Sequence, residues 1–212
     1  MIYISLEVVV FQYDVTLFQA NRGFFFAHVG WLLVKKDPKV IEAGKKLDMS
    51  DLKNDPFVMF QKRNDPWFTM FVCFALPPLI SYFFWNENII AHYLVEVSRY
   101  ILVLHGTWFV NSAAHIWGSH PYDESINPAE NRFVALCSVG EGWHNWHHKF
   151  PYDYAASEFG SDKHYNPTKM CIDTWAWLGF VTDRKRALNA WEMLKKKKLE
   201  NDETIKSVTK AL

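Results

Sequence analysis

The feature that most constrains the fold is an apolar run without a charged side chain, WFTMFVCFALPPLISYFFW, from Trp67 to Trp85. It has roughly the 20 residues that a helix needs to cross the hydrocarbon core of a bilayer. Pro77 and Pro78 would kink a helix in a soluble protein, but membrane helices tolerate proline where neighbouring helices satisfy the freed carbonyl groups. The run therefore predicts a transmembrane helix at 67–85, with a buried core helix as the alternative.

A second apolar run, IIAHYLVEVSRYILVLHGTWFV from Ile89 to Val110, also has spanning length. It contains Glu96 and Arg99, which stand three residues apart. Ionisable side chains inside a membrane span are costly, so they usually face the protein interior and pair with one another, as this spacing allows. Because only three residues separate the two runs, we expect a second transmembrane helix at 89–110 and an antiparallel helical hairpin.

Basic residues flank this hairpin on both sides and are missing from its turn. They include Lys35, Lys36, Lys39, Lys45, Lys46, Lys53, Lys62 and Arg63 before it, and Arg184, Lys185, Arg186 and the run 195–198 after it. Cytosolic segments of membrane proteins carry an excess of lysine and arginine. The pattern therefore predicts that both flanks lie in the cytosol.

Composition argues against several other classes of protein. Lysine and arginine total 23, as do aspartate and glutamate, and no basic stripe with interleaved aromatic residues is present. Nucleic-acid binding is therefore not expected. The three cysteines lack CxxC spacing, so neither a disulfide framework nor a thiolate zinc site is indicated.

A cluster of histidines carries the clearest chemical signal. In GEGWHNWHHKFPYDY, His144, His147 and His148 occupy positions i, i+3 and i+4, which share one face of a helix. A lone histidine is usually a packing residue, but three in five positions favour metal binding, and imidazole ligands suit iron, zinc or copper. Upstream, NSAAH places Asn111 and His115 four residues apart, where the second predicted span would reach the cytosol.

Three segments in this order, RGFFFAHVGWLLVKK, TWFVNSAAHIWGSHPYD and GEGWHNWHHKFPYDY, resemble the membrane-bound acyl-CoA delta-9 desaturases, the stearoyl-CoA desaturase family. The resemblance runs from about Asn21 to about Trp191. It implies an endoplasmic reticulum membrane protein whose histidines hold two irons on the cytosolic side. It further implies that the protein inserts a cis double bond into fatty acyl-CoA, using dioxygen and electrons from cytochrome b5.

The resemblance also assigns roles to individual residues. His115, His144, His147 and His148 would bind iron directly, and Asn111 would do so through a water molecule. Thr107 and Trp108 would line the bend of the acyl tunnel. Lys35 and Lys36 would contact the phosphates of coenzyme A, for which a lysine pair offers suitable point charges.

Two further histidine motifs of the family, HxxxxH and HxxHH, should precede RGFFF, but residues 1–20 contain no histidine. We therefore expect a truncated or inactive form of a desaturase, with about half of the two-iron ligands. One alternative is a non-catalytic membrane isoform that associates with a complete desaturase. Another is a related membrane di-iron hydroxylase.

The predicted fold class is all-α: an integral membrane helical hairpin with a cytosolic helical metal-binding domain. Within residues 21–66, a helix is expected from Arg22 to Val34, and turns are expected at the Asp-Pro pairs. The predicted segments are a divergent N-terminal segment at 1–20, a cytosolic helical region at 21–66, transmembrane helices at 67–85 and 89–110, a cytosolic histidine-box region at 111–191, and a basic helical tail at 192–212.

Overall fold

The computed structural model describes residues 20–46 and 48–211. Within these ranges the regular structure is helical, and the pairings Ser119–Glu130 and Glu130–Trp143 are isolated bridges rather than strands. The predicted all-α class is therefore confirmed for the described residues. Residues 1–19 of the predicted divergent segment lie outside them. The chain divides into two compact units, Met1–Ile116 and Trp117–Leu212.

The first unit begins with short helices. After a 3₁₀ turn at Ala20–Arg22 come α1 (Phe24–His28), a second 3₁₀ turn (Gly30–Leu33), α2 (Pro38–Lys45), α3 (Ser50–Asn54) and α4 (Pro56–Asn64). The single helix expected from Arg22 to Val34 is wrong, because the backbone at Val29, with φ of −137°, separates α1 from the second 3₁₀ turn.

Two of the Asp-Pro pairs begin helices, because each residue of the pair suits a different helix-start position. Asp37 accepts a hydrogen bond from the Lys39 backbone N–H at 2.8 Å, and Asp55 accepts one from the Phe57 N–H at 2.8 Å. Aspartate is a preferred residue immediately before a helix, and proline is favoured at the first helical position. The predicted turns at these pairs are therefore the N-termini of α2 and α4.

The predicted hairpin region consists of two packed helical segments. Helices α5 (Trp67–Met70) and α6 (Leu76–Trp85) join through a π-helical turn at Phe71–Ala75, and α7 (Ile89–Asn111) packs against α6. Asn86 turns the chain in the left-handed region with φ of 53°. Among the described residues, Trp67–Trp85 is the one helical segment long and apolar enough to cross a membrane. The first predicted span thus has structural support. Helix α7 is long enough to cross a membrane but does not meet the same criterion for apolar character.

The charged side chains of α7 lie together. Glu96 is buried, with 8% of its surface exposed, and Arg99 donates from Nε to Glu96 Oε2 at 2.6 Å. His92 Nε2 lies 3.7 Å from the other carboxylate oxygen. The predicted pairing of Glu96 with Arg99 is therefore confirmed.

The first unit ends with the short helix α8 (Ala113–Ile116). The second contains α9 (Arg132–Cys137), α10 (His144–Lys149), α11 (Pro167–Trp177) and α12 (Leu188–Ala211). Its buried core joins Trp146 and Phe150 to Ala187, with Tyr122 and Trp191 packed against them. This core attaches the start of α12 to the helix that carries the histidine cluster.

Candidate metal centre

Helix α10 brings its histidines together as their spacing predicts. His148 Nε2 lies 3.0 Å from His144 Nε2, and the two ring centroids are 4.4 Å apart at an interplanar angle of 83°. The His147 ring lies 5.7 Å from that of His144 and 5.4 Å from that of His148. The three imidazoles therefore form one cluster on α10.

The nitrogens of His144 and His148 fit a shared metal ion. Metal–nitrogen bonds of about 2.0–2.1 Å at angles between square and tetrahedral place ligand nitrogens roughly 2.8–3.4 Å apart, and the observed separation is 3.0 Å. Neutral imidazoles without thiolate are a donor set that suits iron. His144 is 1% exposed and His147 is 9% exposed, whereas His148 is partly exposed, so the cluster is shielded from water on the His144 and His147 side.

The upstream candidates lie at the end of the first unit. Asn111 is the last residue of α7 and is buried. His115 lies in α8, is partly exposed, and donates its backbone N–H to Ser112 O at 3.1 Å. Within the second unit, His144 and His148 belong to a histidine group that could hold a metal ion, and His147 is not part of that group.

The residues expected to contact substrate have well-defined places. Thr107 is exposed on α7 and donates its hydroxyl to Val103 O at 3.1 Å. Trp108 is partly buried beside the ring of His105, at 5.2 Å between centroids. Lys35 and Lys36 are exposed on the segment before α2. The roles of these residues in binding the acyl chain and coenzyme A remain predictions.

A histidine pair beside Trp108, formed by buried His28 and exposed His105, has no signal in the sequence motifs. His28 Nε2 lies 2.9 Å from His105 Nδ1, and His28 Nδ1 lies 2.9 Å from Ser112 Oγ. Burial, followed by the neighbouring His105, lowers the pKa of His28. This network ties α1 to the end of α7. Sequence reasoning missed it because 77 residues separate the two histidines.

The start of α10 is held against α9 by a close backbone approach. Asn131 donates its backbone N–H to Gly142 O at 2.8 Å. A Cβ atom at Gly142 would lie 2.1 Å from Ala135 N and 2.3 Å from Asn131 O. Only glycine fits at this position, so Gly142 serves the packing of α10 against α9.

Glu130 supports the first turn of α10. Its Oε1 accepts a hydrogen bond from the Trp146 backbone N–H at 2.8 Å. Burial raises the pKa of Glu130 to about 7, although hydrogen bonds from the Trp146 and Asn145 backbone oppose the shift. The carboxyl group therefore titrates near neutral pH while it contacts the helix that carries the histidines.

Known proteins with curated names resemble this chain over most of its length. The chain is 55% identical over 168 residues to "Acyl-CoA desaturase 1" of Tachysurus fulvidraco, a match that covers 79% of this chain and 50% of that protein. It is 52% identical over 168 residues to "Delta(9)-fatty-acid desaturase fat-6" of Caenorhabditis elegans, covering 79% and 49%. The chain is a relative of the acyl-CoA desaturases. The resemblance predicted from its motifs is thereby confirmed.

The chain spans about half the length of the curated desaturases it matches. It is equally similar, at 52% over 167 residues, to "Acyl-CoA Delta12-desaturase" of Acheta domesticus, covering 78% of this chain and 46% of that protein. No protein-family model matches the chain. Identity alone therefore does not distinguish the carbon at which a double bond would form.

Proposed function

We propose that this desaturase relative supplies part of a two-iron centre that inserts a cis double bond at carbon nine of saturated fatty acyl-CoA, in unsaturated fatty acid biosynthesis. The observation that carries the proposal is the 3.0 Å approach of His144 and His148 nitrogens. It occurs in a chain that is 55% identical to a desaturase over the matched residues.

The protein residues act as ligands and as a shield. His115, His144, His147 and His148 would hold iron directly, and Asn111 would hold it through water. Bound iron would supply, with dioxygen as oxidant, the oxidising power that removal of hydrogen from an unactivated methylene needs. The burial of His144 and His147 supports this role, because a site for such chemistry has to exclude water.

Membrane placement follows from the two helical segments. We place Trp67–Trp85 and α7 as a multi-pass hairpin in the endoplasmic reticulum membrane, with the histidines and the C-terminus in the cytosol. The ion pair between Glu96 and Arg99 supports a span at α7, because paired charges lower the cost of ionisable groups in a bilayer. The absence of lysine and arginine from residues 86–88 supports the cytosolic orientation of the flanks.

Substrate and electron donor complete the proposal. Exposed Lys35 and Lys36 would bind the phosphates of coenzyme A. Thr107 and Trp108 would contact the acyl chain where it bends, and cytochrome b5 would deliver the electrons. A narrow site of this kind selects the reacting carbon by position, since the ligands themselves have no preference among methylene groups.

A chimera tests the proposal while keeping the rest of a desaturase intact. The segment of the Tachysurus fulvidraco protein that matches this chain is replaced by the corresponding residues of this chain. The chimera is expressed in yeast cells that lack their own desaturase, and acyl chains are analysed by gas chromatography. We expect monounsaturated acyl chains, their loss with His144→Ala, and their retention with the control His120→Ala, whose ring Nε2 hydrogen-bonds to Asn127 O at 3.1 Å.

Other outcomes of the chimera experiment, and one co-purification experiment, distinguish the alternatives. A hydroxylated acyl product would favour a membrane di-iron hydroxylase. A chimera that folds and binds iron but forms no product would contradict desaturation. Co-purification of the unmodified chain with a complete desaturase, without product of its own, would favour a non-catalytic isoform that associates with the active enzyme.

A further inference from the structure

Asn145 stands inside the histidine motif, but its side chain leaves the helix in a different direction. Successive helical residues are rotated by about 100°, so Asn145 projects away from the side that His144 and His148 share. Its residue is fully buried, with 0% of its surface exposed. A buried amide has to find hydrogen-bond partners or destabilise the fold.

Every hydrogen-bonding position of the Asn145 amide is used by the backbone of one loop, residues 121–128, which we call the clamp loop. Oδ1 accepts the Tyr122 N–H at 2.9 Å and the Asp123 N–H at 3.1 Å. Nδ2 donates to Asp123 O at 2.9 Å and to Pro128 O at 2.8 Å. Two acceptor and two donor positions are thus satisfied, which is the full capacity of an amide side chain.

The clamp loop also forms an ion pair with the same helix. Lys149 Nζ lies 2.6 Å from Asp123 Oδ2. Helix α10 has only six residues, and a helix of that length is not stable by itself in water. Its direction must therefore come from tertiary contacts, of which the Asn145 amide supplies the largest set of hydrogen bonds.

We propose that Asn145 is a positioning residue, which fixes α10 on the clamp loop and thereby sets the direction of the His144 and His148 nitrogens. The effect of Asn145 on metal binding rests on the proposed metal centre, whereas its hydrogen bonds to the clamp loop do not. An alanine at this position would leave two backbone N–H groups and two carbonyl groups without their partner. An aspartate would keep the acceptors but lose both donors.

Asn166 offers a matched control in the same unit. It is also buried, at 4% exposure; its Oδ1 accepts the Lys169 N–H at 2.9 Å, and its Nδ2 donates to Ala155 O at 2.7 Å. Asn166→Ala therefore removes a buried amide that holds α11 rather than α10. Both substitutions should lower thermal stability, so stability alone does not distinguish positioning from ordinary packing.

The test is Co²⁺ binding by the full chain of 212 residues in detergent micelles, followed by the visible absorption of the bound ion. Partners that orient a metal ligand typically contribute about 10- to 100-fold in metal affinity. We expect Asn145→Ala and Asn145→Asp to weaken Co²⁺ binding by about that factor and to alter the absorption band. Asn166→Ala should leave both unchanged. Equal weakening by Asn166→Ala, or wild-type binding by Asn145→Ala, would overturn the inference.

A measurement without metal separates this inference from the proposed function. Amide hydrogen exchange of the metal-free chain should rise at residues 121–128 and 143–149 in Asn145→Ala, and should not rise there in Asn166→Ala. If wild-type protein binds no Co²⁺ but shows this exchange pattern, the metal centre is refuted and the positioning role stands. If exchange at 143–149 is unchanged in Asn145→Ala, the positioning role is refuted whatever the metal result.

Discussion

Asp153 should be among the most sensitive positions of the second unit, because its buried carboxylate joins three segments of the chain. It accepts the Ala155 N–H and the Ala187 N–H, each at 2.9 Å, and Trp146 Nε1 at 3.3 Å. Arg186 Nε lies 3.1 Å from Oδ1. Through these bonds the start of α12 is fixed to the core behind the histidines.

The expected loss of stability follows from the donors that would be left without an acceptor. Each buried backbone N–H left unsatisfied costs about 1–3 kcal/mol, so two of them give roughly 4 kcal/mol for Asp153→Ala. Losing the carboxylate partner of Arg186 adds less destabilisation than it would for a fully buried ion, because the Arg186 guanidinium keeps hydrogen bonds to Ser157 O at 3.0 Å and Glu158 O at 3.2 Å. Asp153→Asn retains one acceptor oxygen and should cost about half as much.

Thermal unfolding in detergent micelles, followed by near-ultraviolet circular dichroism, checks these values. For a domain of about 100 residues, 1 kcal/mol corresponds to about 4–8 °C in Tm, so Asp153→Ala should lower Tm by about 15 °C or more. The matched control is Asp183→Asn, because Asp183 is 83% exposed and lies 3.9 Å from Lys185. An exposed pair of this kind contributes little. A Tm for Asp153→Ala within 2 °C of the control would refute the reasoning.

Two further predictions concern residues beside the histidines. Gly142→Ala should destabilise the chain by about 3 kcal/mol, because the added Cβ would overlap the α9 backbone, whereas Gly44→Ala, with nothing within 4 Å, should not lower Tm. An unchanged Tm for Gly142→Ala would contradict the close approach. The raised pKa of Glu130 means that the folded state binds an extra proton between the ordinary value of 4.5 and about 7. The Glu130 contribution to the stability of the metal-free chain should therefore fall as pH rises through that range, so the Tm of wild type relative to that of Glu130→Gln should fall as well. The same dependence of Tm on pH in wild type and Glu130→Gln would contradict the assigned shift.

The parts of this structure that depend on local sequence were predictable. The run at Trp67–Trp85 predicts its helix because it is apolar over a spanning length and carries no charged side chain, and the spacing of Glu96 and Arg99 predicts their ion pair. The separations of His144, His147 and His148 predict one cluster because helical periodicity fixes which side chains share a face.

The supporting contacts were not predictable, because their partners are distant in sequence. Asn145 bonds to backbone groups 17 to 23 residues away, and His28 bonds to Ser112 across 84 residues. Neither contact has a periodic signal. The break at Val29 was missed for a different reason. The apolar and aromatic residues of this segment predicted one helix, but such a pattern does not indicate where the backbone departs from helical dihedral angles.

The most direct test of the proposed metal centre is the iron content of the purified full chain after anaerobic loading, measured by mass spectrometry of the metal. Four histidines match the ligand positions implied by the family, so we expect wild-type protein to bind iron at less than two per chain. His144→Ala and His148→Ala should each lose most of it, and His120→Ala should lose none. Iron binding that is absent in the wild type, or that is unaffected by His144→Ala, would contradict the account.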